Sequence, residues 1–201
     1  MTPRVALQVK NAEPHRELFV LGLLRRAPLS AYAVDQIVRE HFPLYRRFRR
    51  GNIYQLVERL CDDGYLLQRR AATRRGPRES KAVYRLSAAG EERFRELLRG
   101  VVTDVQSSDA ALETGLVLLG QLGRGEALSL LLERMREIEN QERRLKRLFG
   151  DARGRGGAGY FAAAHAYHRM RSEHRFIEDA IRRLRDRAWE PKWILDDGPI
   201  S

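Results

Sequence analysis

The sequence predicts a mainly α-helical chain in two parts: an N-terminal winged helix-turn-helix with a small two-stranded wing, then an antiparallel α-helical hairpin serving as a dimerisation domain. Three observations predict it. Between Tyr45 and Leu86 twelve Lys or Arg stand against four Asp or Glu, interleaved with Ile53, Leu56, Val57 and Leu60 at helical spacing. Within that stretch a tip rich in Arg, Gly and Pro separates two short apolar runs, the pattern of a charged hairpin. From Leu128 onward apolar residues recur at alternating steps of three and four through two long segments, the rhythm of helices packed side by side.

Charge separates the two parts. Of a net +11, residues 1–100 carry 21 Lys or Arg and 11 Asp or Glu, whereas residues 101–201 carry 17 and 16. One half is suited to a polyanion and the other is not, which makes double-stranded DNA the expected partner. An anionic membrane is the rival, but it calls for a basic amphipathic helix with exposed aromatics, and here many cations lie in a loop between strands. No stretch approaches about 18 uncharged apolar residues and the N-terminus lacks a signal-type apolar block, so a soluble, cytoplasmic protein is expected, with no membrane partner. The single Cys61 has no internal disulfide partner. Beside Leu60 it reads as a small buried side chain rather than a redox sensor.

Residues 1–15 lack periodicity and read as an arm ahead of a domain over 16–100. A first helix spans Arg16 to Arg26 on the apolar face of Leu18, Phe19, Leu21, Leu23 and Leu24, and Pro28 ends it. Ser30 caps a second helix through Tyr32, Val34, Ile37 and Val38, which Pro43 stops. The third, from Gly51 to Asp63, turns Ile53, Leu56, Val57 and Leu60 inward and is expected to leave Asn52, Gln55 and Arg59 on the opposite stripe. Asn and Gln pair bidentately with adenine and Arg with guanine, so these three can address base edges. Tyr54 and Tyr32 join them as contacts, and Arg49 and Arg50 precede the helix. The plainer alternative makes Asn52 a cap and Gln55 a solvated side chain.

A strand from Tyr65 to Arg70, a tip from Thr73 to Lys81 and a return strand from Ala82 to Leu86 form the wing. Its Arg69, Arg70, Arg74, Arg75, Arg78 and Lys81 face only Glu79 as an opposing charge, which suits phosphate or minor-groove contact. Ser87 caps a helix from Ala88 to Arg99, and Gly100 closes the domain.

Several ordered blocks carry a family resemblance: Leu21-Gly22-Leu23-Leu24, Pro28-Leu29-Ser30-Ala31-Tyr32, Gly51-Asn52-Ile53-Tyr54-Gln55-Leu56 with Arg59-Leu60, Asp63-Gly64-Tyr65-Leu66, and Tyr84-Arg85-Leu86-Ser87 with Gly90. Over residues 16 to 99 the chain resembles the PadR family of bacterial transcriptional regulators. It departs from that pattern at Ala31, where Gly is usual, and in the block Arg50 to Gln55. The resemblance implies a dimeric repressor with an α-helical C-terminal dimerisation region, and a small aromatic effector.

Val101 to Asp109 reads as a connector and 110–201 as the second domain, opening with a helix from Ala110 to Leu122. The seam Leu128, Leu131, Met135, Ile138, Glu142, Leu145 and Phe149 then faces Tyr160, Ala163, Tyr167, Met170, His174, Ile177, Ile181, Leu184 and Ala188, with Gly150 to Gly159 as the link. If the two helices fold back on each other, pairing Glu142 with His174 matches the rest of the seam apolar to apolar, so these two are expected to form one polar layer that fixes register. Two unrelated solvated interruptions are the alternative. The apolar surface exceeds what one hairpin can hide, so a homodimer is expected, joined through Leu128, Leu131, Met135, Ile138, Tyr167, Met170, Ile177, Ile181 and Leu184.

Other motifs carry less. Gly154-Arg155-Gly156-Gly157-Ala158-Gly159 spells the dinucleotide fingerprint but follows a charged helix rather than a strand, so it reads as a connector. His165 and His168 share a helix face with no Cys to complete a metal set, and no catalytic constellation is recognisable, so no cofactor and no metal are expected. Trp189, Trp193 and Tyr167 can line an aromatic effector pocket or fill a core or interface. The rival to gene regulation is a protein-interaction adaptor whose winged helix binds an acidic protein.

Overall fold

The computed structural model describes residues 14–41, 52–73, 76–153 and 158–186, and among them holds seven helices and one two-stranded sheet. The chain divides into two compact units, 1–97 and 98–201. The first is a winged helix-turn-helix, as the sequence predicts.

Helix α1 (Pro14–Arg26) opens on proline, whose fixed φ suits a first helical position. Every residue from Glu17 to Leu24 is buried. Helix α2 (Ala31–His41) is capped as expected, with the Ala33 amide donating to Ser30 Oγ at 3.1 Å. Helix α3 (Asn52–Asp62) buries Ile53, Leu56, Val57 and Leu60, the inward face read from the spacing. It stops at Gly64, whose φ of +77° costs a side-chain-free residue nothing. There the Tyr65 amide donates to the Leu60 carbonyl and the Gly64 amide to that of Cys61, both at 2.9 Å, the paired closure of a Schellman motif.

Strands β1 (Leu66–Thr73) and β2 (Gly76–Leu86) run antiparallel, Leu66 opposite Leu86 and Arg69 opposite Val83, with an irregularity between Ala71 and Thr73. The hairpin is longer than expected. Most of the tip read as a loop from Thr73 to Lys81 belongs to β2, because ladder hydrogen bonds propagate wherever both faces can carry charge into solvent. Leu29 extends the sheet by one bridge, exchanging backbone hydrogen bonds with Tyr84 at 3.1 and 2.8 Å.

Helix α4 (Ala88–Thr103) begins where Ser87 Oγ accepts from the Gly90 amide at 3.0 Å and donates to the Gly64 carbonyl at 2.7 Å, tying this start to the end of α3. It continues past Arg99, so the expected connector from Val101 shrinks to a few residues. A Cβ added at Gly90 would lie 2.1 Å from the Tyr65 carbonyl oxygen, a backbone atom that cannot swing aside.

The second unit holds α5 (Asp109–Leu119), capped by Ser108, and the long helices α6 (Arg124–Arg153) and α7 (Ala158–Arg185). Helix α6 starts four residues earlier than the heptad pattern suggested and runs through Gly125, which its neighbours carry into the helix. The dinucleotide-like run is thus bracketed by two helices, with residues 154–157 outside the described part. The expected polar layer is present: His174 Nδ1 lies 3.3 Å from the buried Glu142 Oε1.

The seam needs two corrections. On α6 the buried stripe is Ala127, Leu131, Arg134, Ile138 and Glu142, with Leu130 beside it, while Leu128, Met135 and Leu145 are only half-buried. Arg134 is 1% exposed; it donates to the carbonyls of Val102 and Asp104 at 2.8 and 3.1 Å and pairs with Glu173 through Nε at 2.7 Å. Second, five residues assigned to dimerisation, Leu131, Ile138, Ile177, Ile181 and Leu184, are already buried within one chain. They close the hairpin on itself and leave Leu128, Met135, Tyr167 and Met170 half-exposed. Phe149 and Ala188, at the seam's ends, lie outside the described side chains.

Gly90→Ala should lower stability by about 3 kcal/mol, read as a fall in the urea midpoint at unchanged slope. A shift near zero would mean that α4 is not held against Tyr65 as described.

Candidate nucleic-acid interface

With its apolar face buried, α3 turns Tyr54, Gln55 and Glu58 outward, Tyr54 being 48% exposed. Tyr32, 64% exposed, stands in the first turn of α2, the helix packed against α3. The wing follows β1 and adds exposed Gln68, Arg69, Arg70 and Arg85. Register sets Leu67 opposite Arg85 and Arg69 opposite Val83, so alternation puts Arg69 and Arg85 on one face of the ribbon. Arg85 was missed because the reading of the wing's cations stopped at Lys81; its alternation with Val83 was the available signal.

Not every candidate is placed. Arg49, Arg50, Arg74 and Arg75 lie outside the described residues, and for Asn52, Arg78 and Lys81 only the backbone is described, at the start of α3 and along β2.

Arg59 is placed otherwise than expected. Its guanidinium is not on the outward stripe but 3.5 Å from Glu17 Oε2, at the border between the apolar and outward faces of α3. The reason is Glu17, a buried carboxylate of α1 whose charge must be met inside the fold. Arg93 of α4 meets it directly, Nε donating to Oε1 at 2.7 Å while the guanidinium sits 6.0 Å from the Tyr65 ring centroid. Burial pulls the Arg93 pKa down, but hydrogen bonds to Glu17 and Glu96 outweigh it and leave the group above its usual range. Sequence reading missed Glu17 because an acid in a first turn reads as a partner for the helix dipole.

A second, more exposed cluster closes the other side of α4. Arg25 Nε donates to both oxygens of Glu91 at 3.1 and 2.8 Å and its guanidinium lies 5.1 Å from the Phe94 ring, while Arg95 adds a contact at 3.1 Å. The hydrogen bond from Arg25 is the main reason the Glu91 carboxyl titrates below its usual range; desolvation opposes it, and the charges of Arg25 and Arg95 reinforce it. Cys61 is half-buried rather than buried, and burial, then Asp62 and Glu58, push its thiol up, which keeps it protonated and unreactive.

A helix offering polar and aromatic side chains outward, buttressed by a second helix and flanked by a cationic ribbon, is a winged helix-turn-helix domain of the nucleic-acid-binding class. Residues 20–96 match the family described as the transcriptional regulator PadR-like family. The match covers the winged-helix domain, which is similar to that of the PadR-like transcriptional regulators. Among solved structures, Bacillus subtilis PadR in complex with operator DNA is 17% identical, with 87% of this chain and 99% of that one covered and a TM-score of 0.39. In complex with p-coumaric acid the same protein gives 17% identity, the same shares and a TM-score of 0.36. A PadR-like transcription factor from Bacteroides fragilis is 27% identical, covering 41% of this chain and 75% of that one, with a TM-score of 0.34. No curated protein matches the chain.

Two substitutions check the ionic frame. Glu17→Ala leaves half-buried Arg93 with Glu96 alone and Arg59 without the carboxylate it faces, and should cost about 3 kcal/mol in denaturant unfolding. Glu91 has a depressed folded-state pKa, so its contribution is complete above the unfolded carboxyl pKa near about 4.3 and is lost as pH falls through the folded value. The stability gap between the unmodified chain and Glu91→Gln should be constant from neutral pH down to about 5 and then close; a gap that widens in acid would contradict the assignment.

Proposed function

We propose that this chain is a cytoplasmic, homodimeric repressor that binds a pseudo-palindromic site in duplex DNA and releases it when a small, aromatic effector is bound. The observation that carries the DNA reading is the outward pair Tyr54 and Gln55 on the first turn and a half of α3, beside exposed Tyr32 and the wing cations. Gln55 reads an adenine edge, Tyr54 and Tyr32 donate to phosphates, and Arg69, Arg70 and Arg85 track the backbone, joined by Arg74, Arg75, Arg78 and Lys81 from the rest of the wing and by Arg49, Arg50 and Asn52 ahead of the helix.

Support for two copies comes from the second unit. With the inner seam closed within one chain, half-buried Leu145 and Met170 and, on α7, Phe161, 72% exposed, offer an apolar surface to which a second α6–α7 hairpin is suited. Two-fold symmetry then sets two reading helices about 34 Å apart, one turn of DNA. The repressor sense and the effector rest on the family resemblance alone.

Binding-site selection on purified full-length protein should return an inverted repeat, with affinity falling steeply as salt rises. Gln55→Ala should relax preference at one base position per half-site, whereas Arg69→Ala should weaken all sequences alike and reduce the salt slope by about one. Failure to retain any duplex at low salt would favour an acidic protein partner instead, and equal loss on every sequence from Gln55→Ala would remove that residue from base readout.

A further inference from the structure

The second unit contains a groove of about 350 Å³ between the end of α5, the start of α6 and the last turns of α7. Leu116 and Leu119 of α5, Leu131 of α6, and Ala180 and Leu184 of α7 line it, and Phe176, 53% exposed, stands at the mouth. The volume is that of a small-ligand site. Apart from Phe176 its uncharged side chains are aliphatic, so the interior offers methyl and methylene contacts rather than ring faces. On α7 the lining runs from Phe176 to Leu184, a rise of roughly 12 Å, which suits an elongated occupant better than a compact one.

Three charged side chains stand at the rim: Arg124, Asp179 and Arg183. Asp179 is answered twice from its own helix, Arg182 donating to Oδ1 and Arg183 Nε donating to Oδ2 at 2.6 Å. Arg183 thus spends one of the several N–H donors of its guanidinium and, 66% exposed, keeps the rest for another acceptor. Arg124 donates to the Arg185 carbonyl, which occupies an acceptor at the end of α7 that would otherwise oppose an anion. With Asp179 met, the rim holds a surplus of positive charge and spare donors beside an apolar cleft.

We propose that this groove binds an unbranched aliphatic carboxylate of medium length, its chain lying between α5, α6 and α7 and its head held by Arg183 and Arg124. Charge complementarity selects the head, and the aliphatic walls select the tail. A cationic head would meet two arginines, and an uncharged one would forgo the charge-assisted hydrogen bonds. All the lining residues belong to the second unit, so the proposal stands independently of the DNA reading and of the aromatic effector.

Isothermal titration of decanoate, below its micelle-forming concentration, into the full-length protein should show one site per chain and a negative heat-capacity change. Decanol should bind more weakly and decyltrimethylammonium not at all. Arg183→Gln and Arg124→Gln should each weaken decanoate about tenfold and leave decanol unchanged. Leu116→Gln, in the half-buried wall, should weaken decanoate and decanol alike with helical circular dichroism retained; if that chain unfolds, Phe176→Ala at the exposed mouth makes the same test. Absence of saturable decanoate binding, equal affinity for the cationic chain, tighter binding of phenylpropanoate than of decanoate, or affinity indifferent to both arginine variants would each overturn the proposal.

Discussion

A buried carboxylate constrains the first unit. Glu17 sits among apolar residues on a helix buried along eight consecutive positions, and a charge there is tolerable only if cations reach it from the elements packed around. Arg93 and Arg59 do so from α4 and α3, which ties three helices to a single point. For α3 the consequence is rotational. At about 100° per residue, Arg59 and Tyr54 mark the two edges of the arc left facing solvent, and Gln55, Glu58 and Asp62 fall inside it. An acid-rich arc repels phosphate, so under the proposed function only its beginning meets DNA. That agrees with the way reading helices dock, by their N-terminal residues, and it makes Glu17 a determinant of which side chains are presented although it is itself hidden.

Much of this unit was legible in the sequence. The inward face of α3, the Ser30 and Ser87 caps and the stop at Gly64 all follow from local chemistry whose partner lies within a few residues. The place of Arg59 was not legible for a complementary reason. Its partner is forty-two positions earlier on another helix, and an arginine at the border of two faces can turn either way until tertiary packing decides. The long wing was misjudged because Arg, Gly and Pro are turn signals, whereas the ladder of β2 runs through them wherever both faces are wet.

In the second unit the predicted rhythm was right in kind and wrong in period. A strict heptad supposes 3.5 residues per turn, and a straight helix drifts from it by about 20° per heptad. On α6 the buried stripe accordingly moves from the expected Leu128 and Met135 to Ala127 and Arg134, meeting the heptad positions at Leu131, Ile138 and Glu142. Arg134 could not be read as buried, since an arginine on a charged helix looks solvated. Only the carbonyls of Val102 and Asp104 and the carboxylate of Glu173, brought together by the fold, make its burial tolerable.

Those polar contacts also explain how a hairpin with so uneven a core keeps its alignment. Toward the start of α6 and the end of α7, Leu131, Ile138, Ile177 and Leu184 are fully enclosed, and shape complementarity there is enough to select one packing. Toward the loop, Tyr160, Ala163 and Tyr167 are half-wet, and apolar contact of that quality distinguishes poorly between neighbouring registers. Glu142 and His174 lie between the two regimes. A slip by one helical turn would bury the carboxylate against an apolar side chain, so the pair penalises misalignment where hydrophobic packing ceases to do so. A polar layer at that border holds the register of the half-wet end without loosening the enclosed end.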